Sequence, residues 1–292
     1  VTDTHNVGVA LDAAQVAAIF DRAVTPGGPE DFGAALDASG IDFLLLRPAS
    51  GDTRFDPSIA ATILARHTRS VGLVVGGSVL RDHPYNLARR LGSIDHVSAG
   101  RVGWLILTDD DAADGRSVWT AASREDIALD GVLAVRELWE SWPPDTVLDD
   151  RERGVFTDSA RIRYIDHAGA HSISGPLNIP EPPQVKPPIF VESPVPPALA
   201  ERADVVLGGS HVPGSAPILQ WRNVSEAPNA PGVGVAGVVV ADEGSPTEIV
   251  TAAGRHVTAA APPPGTTLRT RLGLAAATPV LSGEPRSAFP TA

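Results

Sequence analysis

The chain of 292 residues contains no cysteine and no methionine. Without cysteine there is no disulfide, no thiolate metal site and no cysteine nucleophile. No apolar run approaches the roughly 18 residues that would read as a membrane span. No basic segment leading into an apolar one marks a secretory leader, so the expected address is the cytoplasm. No G-x-G-x-x-G follows a strand-like run, and G-x-x-x-x-G-K-[ST] is absent, which removes support for the nucleotide-binding open sheets. Positive charge is also scarce: 23 basic side chains face 35 acidic ones, for a net charge of −12. A nucleic-acid binder needs a basic face for its phosphate contacts, so that class is disfavoured.

What is present is alternation. Strand-like runs at "VGVALD" (7–12), "IDFLLL" (41–46), "VGLVVGGSVL" (71–80) and "VGWLILT" (102–108) alternate with helical patterns. "DPSIAATILARHTRS" reads as a helix with Asp56 as N-cap and Pro57 at its first position. "SREDIALDGVLAVRELWESW" is a long amphipathic helix that ends before Pro143 and Pro144. Residues 143–188 then break the rhythm. Their "PLNIPEPPQVKPP" lacks too many amide donors for a helix or a central strand, and reads as a surface excursion. The alternation resumes with "PIFVES", "DVVLGG" and "GVAGVVVA" as strands, and the tail from 275 to 292 is expected to be flexible.

Repeated βα units with continuously apolar strands predict a parallel sheet covered by helices. Seven strand candidates are visible, one short of the eight that close a (β/α)8 barrel. A single α/β barrel domain over residues 1–274 is still the better reading than a doubly wound sheet.

The order of motifs then becomes specific. "HPYNLARRLGSIDHVSAGRVGW" (83–104), "LWESWPPDT" (138–146), "IDHAGAHSISGPLNIPEPPQVKPPIFV" (165–191) and "GTTLRTRLGL" (265–274) together resemble the bacterial-luciferase-like flavin monooxygenases. Within them, the resemblance is to the group of nitrilotriacetate and dibenzothiophene-sulfone monooxygenases. It implies a TIM-type (β/α)8 barrel, reduced FMN as cofactor, a small organic substrate, a flavin reductase as supplier of reduced flavin, and a homodimer. The family's seventh strand and late insertion are missing here. A barrel that is incomplete or modified near the seventh strand is expected, closed if at all by a segment around "PILQW" (217–221).

The positions where the resemblance places flavin contacts have changed. Pro48 stands where an acidic residue follows the second strand, and Leu105 replaces a cofactor-binding Asn in the fourth. At the end of the fifth strand are Glu192, Ser193, Pro194, Val195 and Pro196 in place of Gln-Ala-Gly-x-Ser. Leucine cannot hydrogen-bond a buried flavin edge. The two prolines remove amide donors from a phosphate cradle. Glu192 and Asp109 would add negative charge near a dianion, where two charges about 4 Å apart cost roughly 4 kcal/mol at an effective dielectric near 20. The residues retained as cofactor-binding candidates are Ser78, Thr108 and Arg116. No catalytic residue is assigned.

Two readings compete. One is a family member with a depleted FMN site that no longer catalyses and serves as a binding or subunit-like protein. The other is a working FMNH2-dependent monooxygenase with a rebuilt flavin site. A hydrolase using Glu192 and Asp109 as paired carboxylates is a weaker third. His167 and His171, four apart with Asp166 adjacent, invite a metal reading, but the excursion offers no helix to set ligand geometry, and no metal is expected. Asp95 and Arg101 are expected to pair across the turn before the fourth strand.

Overall fold

A computed structural model describes residues 5–48, 56–108, 121–209, 216–226, 234–258, 263–281 and 286–289. Eight strands pair in parallel around a closed barrel, in chain order: Asn6–Leu11, Phe43–Leu46, Gly72–Gly77, Val102–Ile106, Ile189–Glu192, Val205–Leu207, Ile218–Arg222 and Gly237–Val240. The last strand pairs with the first, through Asn6 with Gly237 to Val9 with Val240. Of the two expectations for this region, an incomplete barrel or one closed by a segment around "PILQW", the second holds. The seventh strand is formed by "ILQWR" from the link, which pairs with Val206 and Leu207 on one side and with Gly237–Val240 on the other.

The helices follow from local signals. They are α1 (Ala13–Phe20), α2 (Gly28–Ser39), α3 (Pro57–His67), α4 (Pro84–Ser98), α5 (Arg124–Glu140), α6 (Pro197–Ala200), α7 (Pro246–Gly254) and α8 (Leu268–Arg271). Asp56 caps α3 by accepting from the Ser58 amide at 2.8 Å, with Pro57 at the first position as the sequence predicts. Ser123 caps α5 and His83 caps α4 through its Nδ1. No helix among the described residues is long and apolar enough to cross a membrane. The excursion carries two small antiparallel pairs, Val147–Asp150 with Val155–Thr157 and His167–Ala168 with Ser172–Ile173.

Strand side chains alternate, so one set points into the barrel and the other under the helices. The interior is filled by Ala10, Phe43, Leu45, Val74, Leu105, Phe190, Val205, Leu207, Leu219 and Val239. Phe43 fits only because Gly8 faces it: a Cβ on Gly8 would lie 2.2 Å from the ring. The base is plugged by α8, where Leu268 and the C-cap residue Leu272 complete this interior cluster.

The base is also where the buried polar groups collect. Arg101 donates to Ser98 O, Thr68 Oγ1, Val71 O, Ala65 O and Thr68 O. Asp95 accepts from Val102 N and from the amide and side chain of Gln184. Both residues therefore build the turn, but each through its own partners; they form no ion pair with each other. Burial pushes the Asp95 carboxyl up to about 6, against those hydrogen bonds. Gln184 also donates to Val102 O and accepts from Arg269 N, which ties the excursion, the fourth strand and α8 together. Lys186, the chain's single lysine, is buried beside Glu140 and donates to Thr278 O. Glu140 in turn accepts from the Val280 and Leu281 amides.

Candidate functional site

In a (β/α)8 barrel the chemistry sits at the C-terminal ends of the strands, where the loops leave. Here that face holds a cleft of about 520 Å³. Its walls are built by carrying the inward alternation into the last residues of each strand or one residue past it. Phe43 and Leu45 lead to Arg47; Phe190 leads to Glu192; Leu219 leads to Trp221; Val239 leads to Ala241.

Three of these residues meet across the mouth. Arg47 Nη2 lies 2.5 Å from Glu192 Oε2, joining the second strand to the fifth. The same guanidinium sits over Trp221 of the seventh strand, 5.0 Å from the ring centroid. Trp221 in turn packs on Gly208, where a Cβ would come within 3.2 Å of the indole. Gly208 has φ +76°, which glycine adopts without strain. The ion pair is 34% and 37% exposed, so it contributes only ~0–1 kcal/mol to stability. Its consequence is steric and electrostatic: it bridges the second and fifth strands in the wall of the cleft and sets a positive charge against Glu192.

The rim is polar. Asp12 and Gln15 form a capping box at the start of α1, and Gln15 Nε2 donates to Asp242 O at 2.8 Å. Asp242 Oδ2 accepts from Val224 N, and Arg222 pairs with Glu226 at 3.1 Å. On the fourth strand, Leu105 is buried in the barrel interior and Leu107 packs against that interior cluster; neither lines the cleft.

Of the sequence candidates, Ser78 and Thr108 are not among the residues that line this cleft. Ser78 is buried, and its hydroxyl accepts from Leu80 N at 3.2 Å. Thr108 follows the fourth strand and is half-buried. Arg116 and Asp109 lie outside the described residues, so the pairing of Glu192 with Asp109 has no geometry; Glu192 pairs with Arg47. Arg47 and Trp221 are not among the sequence candidates. The signal for Arg47 is the alternation of "IDFLLLRP"; the signal for Trp221 is hidden because its strand has the composition of a link.

A second polar cluster lies on the outside of the barrel, between α5 and the excursion. His167 is held between two carboxylates, with Nδ1 2.7 Å from Glu137 Oε2 and Nε2 2.9 Å from Asp130 Oδ1. Asp130 also accepts from the His171 amide and lies 2.8 Å from His171 Nδ1. The Glu137 hydrogen bond and then Asp130 raise the His167 pKa, despite burial. Burial works against Asp130, but the hydrogen bonds from His171 and His167 outweigh it and hold its pKa below the usual range. Among the described residues no group of three or more His, Asp or Glu is arranged to hold a metal ion. The four-residue spacing of His167 and His171 brings both rings onto Asp130 of α5.

Comparison with known proteins agrees with the architecture. The luciferase-like monooxygenase family model matches residues 21–217, well over half of the chain. The chain belongs to this family. A pristinamycin IIA synthase component from Streptomyces pristinaespiralis, named as one of that enzyme's subunits, is 35% identical over 179 residues, 59% of each chain. Dibenzothiophene-sulfone monooxygenase from Rhodococcus erythropolis is 33% identical over 146 residues, 48% of this chain and 32% of that protein. Among solved structures, a riboflavin lyase with modified FMN and riboflavin superposes with a TM-score of 0.61 at 25% identity, covering 75% of this chain and 62% of the lyase. A long-chain alkane monooxygenase superposes with a TM-score of 0.64 at 18% identity, covering 78% and 66%, and supports the fold alone. The chain thus matches 32% to 59% of the length of these curated relatives.

Proposed function

We propose that this luciferase-like barrel has given up its flavin site and works as a subunit-like scaffold. The observation that carries the reading is the Arg47–Glu192 pair across the mouth, seated on Trp221. The residues do not fit FMN. An isoalloxazine entering from the mouth would have to break the ion pair and lift Arg47 from the indole. The fourth strand offers Leu105, buried and without a donor or acceptor, in place of a hydrogen-bonding partner. At the end of the fifth strand, Pro194 and Pro196 have no amide hydrogen to offer a phosphate. The short helix α6 begins at Pro197, so a third donor is missing in the same turn.

The Streptomyces relative is named as the subunit of a synthase. That supports an assembly in which this barrel works beside another chain, a second copy being the simplest. The small organic molecule such an assembly handles would still find the 520 Å³ cleft, lined on one side by Trp221 and on the other by the polar rim.

The test is an anaerobic titration of the intact chain with oxidised and with chemically reduced FMN, following flavin fluorescence and thermal stability together. The expected result is no saturable binding of either form. Saturable micromolar binding of the reduced form would overturn the proposal and establish the alternative, a working FMNH2-dependent monooxygenase. Oxygen uptake against candidate substrates would then define its activity.

A further inference from the structure

A second cavity, of about 340 Å³, opens at the other end of the molecule, beside the base of the barrel. Its walls include Arg136 of α5, Lys186 before the fifth strand, Glu201 and Arg202 after α6, Asp204 before the sixth strand and Arg269 of α8. One side is closed by Ala275–Ala277 and Thr278, small residues held in place because Thr278 O accepts from Lys186. In a chain of net charge −12, four cationic side chains lining one cavity call for an account.

Internal pairing does not supply it. Lys186 is matched by Glu140. Asp204, however, is shared: its Oδ2 accepts from Arg136 Nη2 at 3.0 Å and its Oδ1 from Arg269 Nη1 at 3.0 Å. Ile189 N donates to the same carboxylate at 2.9 Å. Of its other four donors Arg269 spends three, on Lys186 O and Ala275 O, which leaves one Nη2 hydrogen. Arg136 makes only the one bond to Asp204, and its Nε is buried without a partner. Arg202 is exposed and has no side-chain partner among the described residues. The opposing charge at the rim is the exposed carboxylate of Glu201. Two guanidinium groups therefore share one carboxylate while a third faces the same space unpaired. Burial holds the Arg136 pKa below its usual value despite Asp204, and the neighbouring Arg269 and Arg202 charges push the same way.

We infer that this base cavity, between Arg136, Arg202 and Arg269, binds a phosphate-type dianion, either free or as a compact phosphate monoester. Guanidinium forks match the oxygens of such an anion, and a dianion would offset the two charges that Asp204 leaves uncompensated. The site lies at the opposite end of the strands from the mouth, so it is independent of whether flavin binds.

The probe is inorganic phosphate, titrated calorimetrically into the intact chain at fixed ionic strength with chloride as the balancing salt. A single saturable event is expected, competed by sulfate. Arg202→Ala should weaken it by roughly tenfold, the equivalent of ~1.4 kcal/mol, and leave the phosphate-free Tm unchanged because that side chain has no partner. Arg136→Gln leaves Asp204 its bonds to Arg269 and Ile189 and should weaken binding as well. Glu201→Gln should tighten it. Heat that does not saturate beyond the chloride control overturns the site. So does phosphate binding that is insensitive to either arginine substitution.

Discussion

The substitution His167→Ala tests the outer polar cluster most directly. His167 is 4% exposed at its side chain, and its two partners Asp130 and Glu137 are 12% and 15% exposed. Solvent screening is therefore small, and the loss resembles the breaking of a buried pair, which costs ~3–5 kcal/mol because uncompensated charge is left behind. Asp130 keeps the amide and ring of His171, so Glu137 bears most of that cost. For a chain of this size each kcal/mol moves Tm by roughly 2 °C, giving an expected drop of roughly 6–10 °C near pH 6. The pH dependence carries the sharper information. The His167 pKa is raised on folding. The clamp is therefore fully present below about 6.5, the ordinary histidine value, and is lost as pH rises through the higher folded value. Thermal melts of both proteins from pH 6 to pH 9 should show the gap narrowing with rising pH. A gap that stays constant, or a drop at pH 6 equivalent to less than about 1 kcal/mol, would refute the claim that a protonated His167 joins the two carboxylates.

Two further substitutions probe the base. Gln184→Ala strips a hydrogen-bond partner from Asp95, Val102 O and Arg269 N at once; a loss of ~2–4 kcal/mol is expected from urea unfolding. Leu268→Ala removes the plug that sits against Gly72 and Gly103 in the barrel interior, with an expected loss of ~2–5 kcal/mol by the same assay.

The parts of the fold legible in the sequence are those governed by short-range rules. Asp56 with Pro57 announces α3, continuous apolar runs announce every barrel strand but the seventh, and "HPYNLARRLG" announces α4. The seventh strand is legible only as a closing segment around "PILQW", without a continuous apolar run, because it ends in Gln220, Trp221 and Arg222, whose side chains are only half-buried at the mouth. A strand that turns polar where it reaches a cleft has the composition of a loop. The contact of Arg47 with Trp221 joins residues that only barrel closure brings together, and no local pattern records it. The grip of the excursion on α5 is half legible. Asp130 and Glu137 are two helical turns apart, hence on one face, and His167 stands out beside His171; no local pattern shows that the two features meet.

The motifs that carry the family resemblance, by contrast, are concentrated at the base and on the flank. Asp95 and Arg101 organise the turn into the fourth strand, Trp139 donates to Ala88 O between α5 and α4, and Gln184 joins Asp95 to Arg269. Arg271 of α8 reaches Asp42, Ser70 O and Ile41 O beneath the second and third strands. These groups are buried and mutually bonded, so replacing one strands several others, and cost falls on folding whatever the mouth does. Arg47, Glu192 and Trp221 are partly exposed and bonded mainly to one another. They can change together at a cost of ~1 kcal/mol. A barrel held from below can thus keep its family signature while the residues at its mouth are exchanged, and the signature reports the scaffold much more strongly than the chemistry.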